Sequence, residues 1–205
     1  MTSARRTRAY VGLGANVGDA AGTLAAAVRS LAALPGVRLR GVSRLYLTAP
    51  VGPTDQPEFH NAVVALDVPS GPDLATGATA LLAALKALEA AFGRQPRGHW
   101  GPRELDLDLL LFGHARLAVE RPPGARSVDA ALDPAKAGRL LEVPHPEARS
   151  RLFVLAPLAD LAAGLVPPGW GENVASARHR RAMAEGPDAA RPIAGWDTAS
   201  GSWRP

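Results

Sequence analysis

Leu105-Asp106-Leu107-Asp108-Leu109-Leu110-Leu111-Phe112 is the stretch on which the fold turns. Acid and leucine alternate with period two, so it reads as a strand with Leu105, Leu107, Leu109 and Leu111 on one side and both carboxylates on the other. The pattern immediately upstream is helical instead. Leu74, Ala78, Leu81, Leu82, Leu85, Leu88 and Phe92 keep one face over about five turns, and Gly71-Pro72-Asp73 supplies a break and an N-cap. Before that, Phe59 to Val68 is apolar on both sides through Ala62, Val63, Val64, Ala65 and Leu66, which places it centrally in a sheet. Val37 to Thr48 is another strand, interrupted at Gly41 as a bulge or bend would do, and a proline-rich loop from Ala49 to Pro57 follows it. At the start, Ala9 to Gly14 runs as a strand into a glycine-bearing turn. Asp19 then caps a helix with Leu24, Ala27, Val28, Leu31 and Leu34 on one face, and Pro35-Gly36 stops it.

The resulting order, βαββαβ, predicts an α+β sandwich of ferredoxin-like type: an antiparallel sheet with both helices on one face. Residues 1–168 are expected to form this domain. Gly113 to Glu142 has no clear period and reads as a long loop insertion or lid. Phe153 to Leu161 suggests a short helix despite Pro157. Residues 169–205 read as a C-terminal extension with one helix near Ala175 to Ala184 and a loose tail.

At 205 residues with 47% apolar composition, the chain is long enough for one good core. Its net charge is +4, and arginine carries nearly all the positive charge, since Lys86 and Lys136 are the only lysines. A guanidinium fork grips phosphate oxygens through two bonds, although a GC-rich genome would also favour Arg over Lys. Cysteine is absent, which removes disulfides, thiolate metal sites and cysteine nucleophiles together, so any metal must sit on Asp, Glu or His. Met1 to Arg8 is basic without an apolar stretch behind it, and no run approaches a membrane span; a cytoplasmic protein is expected.

Asp106 and Asp108 lie roughly 7 Å apart along a strand that rises ~3.3 Å per residue. Two carboxylates on one face are either a solvated edge or a pair that needs a cation between them; Mg²⁺ suits such hard oxygens and takes its remaining ligands from phosphates and water. Arg94, Arg97 and Arg103 stand close in sequence, either in a solvated loop or where a triphosphate must be neutralised from several sides. No G-x-x-x-x-G-K-[ST] loop occurs, and the glycines at 12, 14 and 18 are spaced one residue too long for a dinucleotide fingerprint. Phe59 and Asn61 share a strand face, where a ring and an amide either stack on and read a flat heterocycle or belong to the core. His145, between Pro144 and Pro146, either reaches a phosphate or caps a turn. A nucleic-acid module on this sheet would put paired aromatics on central strands; here the aspartate pair would repel a phosphate backbone, so no nucleic acid, and no membrane, is expected as partner.

Four segments carry a resemblance: the Gly12 to Asp19 turn, Thr48-Ala49-Pro50-Val51-Gly52-Pro53 with Asp55-Gln56-Pro57, Trp100-Gly101-Pro102-Arg103 leading into Leu105 to Leu109, and Pro144 to Phe153. In this order, over most of Tyr10 to Pro157, the chain resembles the 6-hydroxymethyl-7,8-dihydropterin pyrophosphokinase family. The resemblance implies attack of a pterin hydroxymethyl oxygen on the β-phosphorus of ATP with release of AMP, as a step of folate synthesis. It implies Asp106 and Asp108 as ligands of two Mg²⁺ ions, with Arg94 and Arg103 as catalytic cations. Phe59 and Phe153 would sandwich the pterin, and Thr48, Val51 and Asn61 would bind its edges. Glu89, Arg97, Trp100, Leu109, His145 and Arg151 would contact ATP. A monomer is favoured. Departures from the family pattern are Ala15, where Ser is common, Lys86 in place of a neutral polar residue, and His99 in place of an Arg before the tryptophan. The segment after Gly113 is also longer and is expected to supplement a lid over ATP.

Overall fold

The computed structural model describes residues 5–50, 55–94, 101–122 and 138–205. Strand β1 (Arg6–Ala15), helix α1 (Ala20–Ala33), strands β2 (Arg38–Val42), β3 (Leu45–Thr48) and β4 (Phe59–Pro69), helix α2 (Leu74–Ala91) and strand β5 (Asp106–Phe112) follow the expected βαββαβ order. The seven-stranded sheet runs β5-β1-β4-β3 through its centre, with β2 also on β4 and every pairing antiparallel. The predicted second strand is thus broken in two: the register slips between Leu39 and Gly41, and Ser43 and Arg44 separate β2 from β3.

Both early helices are capped as their sequences suggest. Asp19 accepts from the Gly22 N–H at 2.9 Å, and Asp73 accepts from the Thr76 N–H at 2.8 Å. A Cβ on Gly77 would stand 2.3 Å from the Ser70 carbonyl oxygen, so only glycine lets α2 begin so close to the end of β4. The two helices bury Leu24, Val28, Leu31, Ala78, Leu81 and Leu85 against Val11, Leu13, Val64, Leu66, Leu107 and Leu109 on one sheet face. Helix α2 is long and apolar enough to cross a membrane by length and composition, contrary to the expectation that no run approaches a span. It lies along the sheet instead, and its Lys86 and Glu89 hydrogen-bond the β5 backbone.

Three further corrections concern parts whose pattern is weak. Leu111 does not share a side with Leu109. The β1–β5 register shifts between Tyr10 and Val11, placing Leu110 and Leu111 together in the opposite core and returning Phe112 to the first. The insertion is not all loop: β6 (Leu117–Glu120) and β7 (Arg139–Val143) pair as a two-stranded ribbon, while residues 123–137, part of the stretch expected as insertion or lid, lie outside the described residues. The tail is not loose. Helix α3 (Leu152–Ala162) and helix α4 (Val174–Glu185) cover the second sheet face through Leu155, Leu158, Val174 and Ala177, so helices flank the sheet on both sides. Strand β8 (Arg191–Asp197) then joins the open edge of β3 and turns back into β9 (Ser202–Arg204). The hairpin is anchored by the Trp203 indole, which donates to the Ser43 carbonyl at 2.9 Å.

Candidate active site

Because cross-strand partners share a face, the register builds the site directly. Gly14 of β1 pairs with Asn61 of β4 on one side and Asp106 of β5 on the other, and Gly12 pairs with Asp108. Asn61, Gly14 and Asp106 therefore form one row across three strands. A Cβ on Gly14 would lie 3.4 Å from Asn61 Oδ1 and 3.9 Å from Asp106 Cβ, so the glycine leaves the floor between amide and carboxylate open. This row lies on the α3 face, opposite to Leu107 and the α1–α2 core.

Asn61 is buried, and its Nδ2 donates to Thr48 Oγ1 at 2.9 Å and to the Phe59 carbonyl at 3.3 Å. These two bonds fix which end of the amide is spent on the protein. Oδ1 is turned toward Gly14 and offers an acceptor to a ligand. Phe153 sits in the first turn of α3 with the Arg151 guanidinium 5.6 Å from its ring centre.

Around the carboxylates the charge is dense. Arg103 Nη1 donates to Asp106 Oδ2 at 2.6 Å, and Arg94 Nη1 lies 2.8 Å from Asp106 Oδ1. Burial, reinforced by the neighbouring Asp108 charge, raises the Asp106 pKa despite these arginines. Burial would also raise Asp108, but His145, Lys86, Arg103 and Arg151 outweigh it and hold this carboxyl below its ordinary range. The two carboxyls are thus pushed in opposite directions, Asp106 upward and Asp108 downward. Burial lowers the Arg151 pKa against the pull of Asp108 and Asp106; burial of Arg94 is overcome by Asp106 and Glu89, which raise it.

Glu89 is 3% exposed and does not face the open cleft. Its Oε1 accepts from the Leu107 N–H at 2.7 Å and from Lys86 Nζ at 2.7 Å, while Oε2 pairs with Arg94 at 2.5 Å. Lys86 also donates to the Leu107 carbonyl at 3.1 Å. Helix α2 thereby closes the outer edge of β5 at Leu107 and aims Arg94 at Asp106.

His145 follows a cis Val143–Pro144 bond; its N–H donates to the Leu110 carbonyl at 2.9 Å, and its Nδ1 accepts from the Glu147 N–H at 3.3 Å. Arg151 pairs with Glu147. Leu109 is 2% exposed in the α1–α2 core, so a nucleotide can reach only its backbone. Val51, Arg97, His99 and Trp100 lie outside the described residues.

Sequence reasoning passed over Asn16, at the end of β1. It is 4% exposed, its Oδ1 accepts from the Arg103 N–H at 2.8 Å, and its Nδ2 donates to Gln56 Oε1 at 3.2 Å and to the Pro57 carbonyl at 3.1 Å. It ties the segment bearing Arg103 to the loop that delivers Phe59. An Asn just beyond a glycine-bearing strand was the only signal.

As to metals, no cluster of three or more His, Asp or Glu side chains capable of holding an ion occurs among the described residues. A pair of hard oxygen donors on one face fits Mg²⁺ whose other ligands come from substrate.

The family model described as 7,8-dihydro-6-hydroxymethylpterin-pyrophosphokinase (HPPK) matches residues 10–163. The 2-amino-4-hydroxy-6-hydroxymethyldihydropteridine pyrophosphokinase of Methylorubrum extorquens is 42% identical over 163 residues, covering 80% of this chain and 87% of the relative. The protein of the same name from Pseudomonas aeruginosa is 42% identical over 161 residues, covering 78% and 84%. Among solved structures, wild-type Plasmodium falciparum HPPK-DHPS superposes with a TM-score of 0.68 at 12% identity, a likeness of fold. The match takes in 98% of this chain, which spans about half of that one, 47%.

Proposed function

The chain belongs to the 7,8-dihydro-6-hydroxymethylpterin-pyrophosphokinase family, and from that premise we propose how its cleft carries out the family's reaction. It is an ATP-dependent enzyme that transfers pyrophosphate to the hydroxymethyl group of a dihydropterin in folate biosynthesis. The bond formed joins the hydroxymethyl oxygen to the β-phosphorus; the bond broken is that between the β-phosphorus and the oxygen that leaves with AMP.

One observation carries the assignment of residues: Asn61 and Asp106 flank a single glycine in one cross-strand row. A group read at its edge by Asn61 therefore has its neighbouring substituent beside the carboxylates. The pterin lies between Phe59 and Phe153, with Asn61 Oδ1 accepting from its amino edge and Thr48 holding the amide in that orientation; Val51, on the resemblance, is a further pterin contact. The two rings and a prepaid amide bond order the substrate before reaction, which is the main lever available to phosphoryl transfer.

The polyphosphate lies over Asp106 and Asp108. Arg94 and Arg103 already stand on Asp106, and Arg151 and His145 border Asp108, so hydrogen-bond donors meet the phosphates from both sides. Arg97 and Trp100, on the resemblance, are further ATP contacts. Two Mg²⁺ ions held by Asp106 and Asp108 would supply charge neutralisation and ease loss of the hydroxyl proton when bound. Glu89 acts through Arg94, and Leu109 through its backbone. His145 Nε2–H donates to a phosphate oxygen.

Incubation of the purified chain with ATP, Mg²⁺ and 6-hydroxymethyl-7,8-dihydropterin should release AMP in step with pterin consumption. Release of ADP, or AMP formation independent of the pterin, would contradict the reading.

A further inference from the structure

Away from the substrates, one carboxylate joins helix α3 to strand β3. The Tyr46 hydroxyl donates to Asp160, at 2.9 Å from Oδ1 and 3.0 Å from Oδ2. Arg44 donates through Nη2 to Oδ1 at 2.7 Å, and through Nε and its backbone N–H to Oδ2 at 3.2 and 3.1 Å. Its Nη2 also reaches the Tyr46 hydroxyl at 2.9 Å, and its guanidinium stands 5.5 Å from the Tyr46 ring centre. Tyr46 is fully buried, and its phenol is pushed up to about 12 by burial and by the Asp160 charge.

The placement of this cluster gives it meaning. Leu152, Ala156 and Asp160 follow at intervals of four and so form one stripe of α3. Leu152 and Ala156 pack on Tyr46 together with Ala190 from the segment leading into β8. Tyr46 is in turn the register partner of Asn61, on the same sheet face, and Thr48 lies two residues further along. The helix stripe thus begins next to Phe153 and ends at Asp160, while the strand it grips carries the pterin-edge residues. An apolar stripe of one leucine and one alanine constrains the rotation of a helix weakly. A directional carboxylate with donors from Arg44 and Tyr46 constrains it strongly, and a rotation by one residue would swing Phe153 by ~100° around the helix axis.

We propose that Arg44, Tyr46 and Asp160 form a positioning clamp that sets the gap between the Phe59–Asn61 wall and Phe153, and so tunes affinity for the pterin rather than for ATP. The inference rests on the reading of Phe59 and Phe153 as the pterin slot. None of the three residues touches the reacting atoms. Arg44 and Asp160 also border a groove of about 610 Å³ with Leu39, Trp196 and Thr198, which gives the helix end room to shift when the clamp is released.

The test compares steady-state KM for pterin and for ATP, with thermal unfolding, in Tyr46→Phe, Asp160→Asn, Arg44→Gln and their double variants. Asp67→Asn serves as control, because its ion pairs with Arg8 and Arg40 lie at the far end of β4. The clamp predicts a five- to twentyfold rise in pterin KM with ATP KM within twofold, and non-additive effects in the double variants. The control lowers the melting temperature and moves neither KM. Arg44→Gln, at a half-exposed side chain, keeps the test open if Tyr46→Phe fails to fold. Unchanged pterin KM despite a lower melting temperature, or an equal rise in both KM values, overturns the clamp. Phe153→Leu separates the two claims. If it leaves pterin KM unaltered, the slot reading and the clamp built on it both fall; if it raises pterin KM and the clamp variants do not, only the clamp falls.

Discussion

Replacing Glu89 by glutamine probes the joint between α2, the edge of β5 and the cationic wall. Three donors converge on a side chain that is only 4% exposed: the Leu107 N–H, Lys86 and Arg94. The partners differ in what they contribute. Lys86 is 46% exposed, and solvent screening leaves its pair worth less than about 1 kcal/mol. The Leu107 N–H bonds a buried carboxylate, a charge-assisted bond of about 1.5–3 kcal/mol, part of which an amide oxygen retains. Arg94 is 29% exposed and keeps Asp106 at 2.8 Å, so losing Glu89 costs it less than the ~3–5 kcal/mol of a buried charge left alone. Together these give about 3 kcal/mol for Glu89→Gln and more for Glu89→Ala, which also abandons the Leu107 N–H. For a chain of this size that corresponds to a melting temperature lower by roughly 6–12 °C. Thermal unfolding followed by circular dichroism measures it. A drop below about 2 °C, or glutamine no milder than alanine, would refute the assignment of Glu89 as a saturated buried acceptor.

Gly14→Val should put methyl groups between Asn61 and Asp106, lowering kcat/KM by more than tenfold while the melting temperature falls by only a few degrees; valine with near-normal turnover would show that substrates do not occupy that row. Asn16→Ala removes the acceptor of the Arg103 N–H and the donor to Gln56 and Pro57, with an expected cost of about 2–3 kcal/mol in chemical denaturation and a lower kcat/KM, against which a variant of unchanged stability would count. At Asp67 the hydrogen bond from Arg8, helped by the Arg8, Arg40 and Arg6 charges, outweighs burial and lowers the pKa. A depressed folded pKa stabilises fully above the ordinary carboxylate value near ~3.9, and the gain is lost as pH falls through the folded pKa. Stability curves of the wild type should therefore fall more steeply below about pH 4 than those of Asp67→Asn, and parallel curves would disprove the linkage.

What could be read from sequence follows the strength of each local signal. Period two in Leu105 to Leu109 put Asp106 and Asp108 on one face, and the register confirms a common side. The same rule misplaced Leu111, because a bulge opposite Tyr10 leaves no trace in a run of three leucines. Glu89 was expected only as an ATP contact, on the resemblance; that it continues the buried spacing of Ala78, Leu81 and Leu85, where a carboxylate requires partners, went unread. The terminal hairpin was hidden for the opposite reason. Arg191 to Asp197 is half-exposed along most of its length, so its apolar pattern is faint, and its stability comes from pairing with β3 and from the edge-to-face contact of Trp196 and Trp203 at 4.7 Å. Asn16 depends on contacts with residues about 40 and 87 positions away, which no local pattern encodes.

Binding of Mn²⁺, used in place of Mg²⁺, tests the account most directly. Titrated by electron paramagnetic resonance in the presence of a non-hydrolysable ATP analogue, the wild type should bind the metal with nucleotide-dependent affinity. Asp106→Ala and Asp108→Ala should each weaken that binding by at least tenfold in protein that is still folded at the assay temperature. Wild-type affinity and stoichiometry in both variants would contradict the assignment of these carboxylates as the seat of the divalent cations.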